Sequence, residues 1–122
     1  MRLVINLFRN NLENQLEAKR INFFKVVGVL LAEADRNFFN SETVFILAEL
    51  RNALNDPELS QELFTDIFWK VELYEKADNQ VRSELWGYTR TIYIENPLYY
   101  NSLFSIKNII DLMVKFLQKF NI

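Results

Sequence analysis

Glu58, Glu62 and Asp66 follow one another at four-residue intervals, and a helix sets such positions on one face, a turn apart. Grouped carboxylates lend themselves to three kinds of chemistry: metal ligation, acid-base catalysis and electrostatic attraction of a basic partner. Carboxylate metal centres in helical proteins combine inward-facing Glu residues with Glu-x-x-His pairs. This chain has no His, and its three acids fall mostly on the polar side of their helix, so no metal site is expected. Paired acids for glycoside hydrolysis require a set separation across a cleft, which positions along a helix do not specify. With neither His nor Cys, the commonest general base and the thiol nucleophile are both absent, and two glycines form no phosphate-cradling loop. The expectation is a non-enzymatic protein without cofactor.

Charge attraction is the third possibility. Residues 1–41 carry six basic and four acidic groups, residues 42–84 four basic and ten acidic, and residues 85–122 four basic and two acidic. An acidic middle section can steer a basic partner and speed association, although a solvated helix face has the same composition. Glu58, Glu62 and Asp66 are therefore the candidate partner-binding acids. Aromatic residues collect further on, with Trp86, Tyr88, Tyr93, Tyr99 and Tyr100 inside fifteen positions. Tyr joins an apolar ring to a polar tip and serves well as an interface anchor. Tyr99 and Tyr100 follow an expected turn at Asn96 and Pro97, which makes them the candidate anchors; core packing with hydroxyls at the rim is the competing expectation for the group. Arg82 and Arg90 lie beside these rings and are suited to stacking on bases, but a net charge of −2 argues against nucleic-acid binding, which draws on excess Lys and Arg.

Positioning these groups falls to helices. At 122 residues, 50% hydrophobic and 15% aromatic, the chain is long and apolar enough to bury one core without disulfides. Two Gly and two Pro are too few for the turns of an all-β fold. Leu12, Leu16, Phe23, Val27, Leu30 and Ala34 recur at three, four or seven residues and predict one helix over Asn11–Arg36, central where it is apolar all round at Phe23–Ala32. Gly28 marks a close crossing within it. Residues 3–8 suit a helix better than a strand. Asn40 or Ser41 caps a helix ending near Asn55. Asp56, Pro57 and Glu58 open another that runs to Lys76, with Leu63, Phe64, Ile67, Phe68, Val71 and Tyr74 on one stripe and Trp69 and Leu73 on a second. Acid-before-base pairs are expected at Asp66 with Lys70 and Glu72 with Lys76. Asp78 or Asn79 caps a fourth helix through Val81, Leu85, Tyr88 and Ile92, stopping before Pro97. A last helix over Ser102–Phe120 carries a heptad seam of Leu103, Ile106, Ile110, Met113, Leu117 and Phe120.

These segments predict an all-α, single-domain bundle of about five mainly antiparallel helices over residues 1–122, with no internal repeat. The expected core is Phe23, Val27, Leu30, Phe64, Ile67, Phe68, Ile106, Ile110, Met113 and Leu117. MRLVINLFRNN lacks a signal-peptide pattern, no uncharged stretch reaches membrane-spanning length, and the lack of Cys suits a cytoplasmic location. The favoured function is a protein-binding module, in its most concrete form a small inhibitor or immunity protein that neutralises a basic toxin or nuclease. A self-associating structural subunit using apolar surface at Trp69 and Leu73, and a helical subunit of a nucleic-acid-associated complex, are the alternatives.

Overall fold

The computed structural model describes residues 2–95, 97, 98 and 114, with side chains described from Ile5. Among these residues the chain forms α1 (Arg2–Phe8), α2 (Leu12–Arg20), α3 (Phe23–Glu33), α4 (Ser41–Ala53), α5 (Pro57–Leu63), α6 (Val71–Lys76) and α7 (Asn79–Glu95). A 3-10 turn covers Arg36–Phe38 and a π-helical turn Phe64–Phe68. No strand occurs among the described residues, so the chain is all-α there and residues 3–8 are helical. The expected helix over Ser102–Phe120, with Ile106, Ile110, Met113 and Leu117, lies outside them.

Short polar side chains start the helices, because the first backbone amides of a helix have no internal acceptor. Asn11 accepts from Asn14 N at 3.0 Å, Asn40 from Thr43 N at 3.0 Å and Asp78 from Val81 N at 2.9 Å. Asp56 accepts from Glu58 N at 2.9 Å and Leu59 N at 3.1 Å, with Pro57 in the first turn of α5. Asn10 and Asn22, both at φ 56°, take the left-handed conformation that Asn tolerates better than most residues.

Two long expected helices are broken. The segment Asn11–Arg36 divides at Ile21–Asn22, where left-handed Asn22 ends one helical path and opens the next. The segment from Asp56 to Lys76 divides after its π turn, where Trp69 N donates to Phe64 O at 2.9 Å. Phe68 O is met there by two hydroxyls, Tyr74 Oη at 3.1 Å and Thr89 Oγ1 at 2.9 Å, themselves 2.9 Å apart. The break also changes the expected ion pairs: Lys70 Nζ lies 4.0 Å from Glu72, and Lys76 donates to Ala34 O.

The order of contacts along the chain gives the architecture. Lys19 meets Asp56, Lys25 N meets Glu62, Gly28 lies against the backbone of Asp66, and Lys76 reaches Ala34 O. Positions on α2–α3 and on α5–α6 rise together, 37 residues apart at one end and 42 at the other, so the two segments run parallel. Arg51 pairs with Glu95, 44 residues on, near the C-terminal ends of both α4 and α7. Gln15 Nε2 donates to Phe8 O at 2.7 Å and Ala53 O at 3.2 Å, which brings the C-terminal ends of α1 and α4 together. The fold is therefore a stack of similar hairpins in two layers, α1, α4 and α7 in one, α2–α3 and α5–α6 in the other. The expected all-α class holds among the described residues, and the arrangement differs from a simple antiparallel bundle. Helices in one layer lie parallel, and the arms α2–α3 and α5–α6 correspond at an offset of 37 to 42 residues, a structural repeat where the sequence shows none. The repeat leaves no visible trace in sequence because stacking constrains the size and polarity of buried positions, and many residue combinations satisfy that.

Phe64, Ile67, Phe68, Leu73 and Tyr74 are fully buried together with Phe24, Val44, Leu47, Leu50, Leu59, Leu63 and Leu85. Phe23 and Val27 are partly buried against this core. Leu30 is 59% exposed, and Val26 and Val29 are exposed beside it, so α3 lies at the edge of the stack rather than at its centre. Leu12 and Leu16 are exposed as well, while Gln15 and Ala18 turn inward. The second stripe is absorbed by the fold: Leu73 is buried, and Trp69 stacks between Phe64 at 5.7 Å and Trp86 at 6.4 Å.

Candidate functional site

Glu58, Glu62 and Asp66 are brought together. With Lys19, Asn22 and Thr65 they line a shallow groove of about 510 Å³ where the α2–α3 junction meets α5 and the π turn. Each has a separate role. Glu58, 76% exposed, lies 3.5 Å from Lys19 Nζ, and Asp56 accepts from the same ammonium at 3.1 Å. Glu62 accepts from Lys25 N at 3.3 Å and so caps α3 from outside, since Asn22 supplies no side-chain cap. Asp66 presses its carbonyl against Gly28, where an added Cβ would stand 2.3 Å from that oxygen. Both ends of α3 thus receive suitable charge from the neighbouring hairpin: the Glu62 carboxylate at the N-terminus and the Lys76 ammonium at the C-terminus.

Titration follows from these surroundings. Partial burial raises the pKa of Glu62, and the charge of Asp66 adds to the effect against the pull of Lys25. Burial also works against the ionised form of Asp56, but Lys19 and the amides of Leu59 and Glu58 outweigh it, and the pKa lies below the ordinary carboxylate value. The pKa of Lys19 is raised, chiefly by its hydrogen bond to Asp56. The Tyr74 hydroxyl is pushed far up by burial. Among the described residues no three acidic side chains group so as to hold a metal ion.

Tyr99 and Tyr100 lie outside the described residues. Of the other aromatics in that section, Trp86, Tyr88 and Tyr93 are partly buried against the core. Arg82 caps the end of α6, donating to Tyr74 O and Ala77 O at 3.0 Å, so its guanidinium is committed to the backbone. A second groove, of about 390 Å³, has no counterpart among the sequence expectations. It runs between α4 and α7, with Phe45, Glu49 and Asn52 on one wall and Tyr88, Thr91 and Glu95 on the other. Apolar periodicity gives no signal for it: Phe45 and Tyr88 come to one groove only through the packing of α4 beside α7.

Residues 1–120 match the family described as Neurobeachin/BDCP, DUF4704 alpha solenoid region, and a solenoid is what parallel helices at a forty-residue offset compose. The chain belongs to this family. No curated protein and no solved structure matches it significantly. Among the described residues of the DUF4704 segment, α4 packs between α1 and α7, and the two grooves lie where neighbouring hairpins meet. No helix among the described residues is long and apolar enough to cross a membrane.

Proposed function

We propose that this DUF4704 alpha-solenoid segment is a non-enzymatic protein-binding module whose acidic side receives a basic partner. The observation that carries it is the convergence of Glu58, Glu62 and Asp66, separate in sequence by a helical turn each, on one groove with a single ammonium, Lys19, among them. A solenoid presents such side chains on a broad surface, and an excess of negative charge there speeds encounter with positive partners. The narrower version, neutralisation of a basic toxin or nuclease, rests on the acidic middle section, the lack of a catalytic set in the sequence and the Tyr-rich section before Tyr100. A cytoplasmic location, suggested by the absence of Cys, belongs to the same proposal.

The test is kinetic. Glu58→Lys with Asp66→Lys, leaving the structural cap Glu62 in place, is compared with the native chain for association with polylysine at low and high salt. Slower association of the double variant, and a loss of salt dependence, support the proposal. Unchanged rates would make the acids an ordinary solvated face.

Self-association is a second reading, favoured now by a different surface. Val26, Val29 and Leu30 give α3 an exposed apolar side at the edge of the stack. Concentration-dependent sedimentation abolished by Leu30→Lys would support it; a monomer at all concentrations would end it.

A further inference from the structure

We infer that the groove between α4 and α7 is a docking site for a basic amphipathic helix, distinct from the acidic groove on the other layer. The inference rests on the protein-binding reading but uses different residues. On α4 the surface stripe is Glu42, Phe45, Glu49 and Asn52, with Glu42 exposed and Phe45 44% exposed although aromatic. On α7 it is Glu84, Tyr88, Thr91 and Glu95, with Thr91 and Glu95 exposed. The helices run parallel and Arg51 pairs with Glu95. The two stripes therefore lie side by side in register: acid beside acid at the N-terminal end, Phe45 beside Tyr88 in the middle, Asn52 beside Glu95 at the other end. Ala48, small, and Ile92, buried, form the floor between them.

Each helix thus contributes one aromatic ring, Phe45 or Tyr88, with a carboxylate before it and another after it along the helix. Glu49 and Glu95 line the groove with one base, Arg51, and Glu42 and Glu84 stand about a turn further along the two helices toward their N-terminal ends. A floor of apolar side chains with acidic walls complements a helix that has an apolar stripe bordered by Lys and Arg. From Glu42 to Asn52 the stripe is about 15 Å long, enough for roughly three turns of such a helix. Aromatic rings between two helices are suitable anchors, being large, rigid and only partly covered in the free protein. The acidic walls add long-range attraction and set a preference for positive partners over acidic helices of equal apolarity.

The probe is a fluorescein-labelled helical peptide with leucines on one face and lysines on both borders, and its counterpart with glutamates in place of the lysines. Binding is followed by anisotropy with the whole chain. The lysine peptide is expected to bind, the glutamate peptide not. Phe45→Ser and Glu49→Lys, each on the surface stripe, are each expected to weaken the lysine peptide about tenfold or more, with thermal melting showing that the variants remain folded. Glu13→Gln, exposed on α2 and outside both grooves, should leave its affinity unchanged. If Glu58→Gln with Asp66→Asn, in the acidic groove of the other layer, weakens binding while Phe45→Ser does not, the groove inference is overturned and the protein-binding reading stands. Equal binding of both peptides, or binding of neither, overturns the inference outright.

Discussion

Glu62 shows how a residue can be conspicuous in sequence for one reason and used in the fold for another. Its carboxylate caps α3 while burial raises its pKa, so the ionised form is held at some cost. An acid with a raised folded pKa is penalised fully above that pKa and relieved as pH falls through it. Glu62→Gln keeps an acceptor for Lys25 N without the charge, and is expected to be neutral or stabilising near neutral pH; Glu62→Ala removes the cap and should cost about 1 kcal/mol. Chemical denaturation of both variants decides between a structural cap and a free surface acid. The two glycines make a second residue-scale contrast. Gly28→Ala would force a Cβ into Asp66 O and should destabilise by about 1 to 3 kcal/mol, whereas Gly87, where an added methyl would meet nothing within 4 Å, sits in α7, and Ala there should stabilise by up to about 1 kcal/mol. Gly28 was legible as a close crossing; its partner, the carbonyl of a π turn, was not, because that turn has no marker in the apolar pattern.

At the scale of the element, α5 is the most fully determined by local sequence. Asp56 caps it, Pro57 begins it and Lys19 holds the cap from α2. The folded pKa of Asp56 lies below its ordinary value, so its contribution is present above that value and is lost as pH falls through the folded one. Glu62, shifted upward, changes in the opposite sense over the carboxylate range. Asp56→Asn retains a capping oxygen but not the ion pair with Lys19, and is expected to flatten the loss of stability on acidification below about pH 4. Thermal melts from neutral to acid pH measure this, and an acid limb unchanged from the native protein would count against the pair. The breaks at Asn22 and at the π turn were not legible, since apolar spacing continues through both. What halts the helices is competition from tertiary partners: Glu62 takes an amide of α3, and the hydroxyls of Tyr74 and Thr89 take the Phe68 carbonyl. Phe68→Ala, at a fully buried ring beside that carbonyl, should cost about 3 to 5 kcal/mol.

For the whole molecule the decisive residue is Gln15, completely buried and bonded to Phe8 O, Ala53 O, Asn55 N and Asp56 N. It fastens the first hairpin to the second. Gln15→Leu would leave these backbone groups without their partner at about 1 to 3 kcal/mol for each one not rehydrated, and a stack held by neighbour contacts should then lose the first hairpin ahead of the rest. Hydrogen exchange read along the chain tests this: earlier opening of residues 2–38 than of α5–α7 is expected in the variant, and uniform opening would contradict it. Composition and periodicity by themselves determined that the chain is helical, where α4, α5 and α7 begin, and that Phe64, Ile67 and Phe68 face inward, because caps and apolar stripes act within a turn or two of chain. Only the tertiary structure decided that the hairpins stack in parallel layers, that Leu30 faces out and Gln15 in, and that Phe45 meets Tyr88 across a groove. Those outcomes depend on which hairpin packs beside which, and contacts about forty residues apart leave no period in a single sequence.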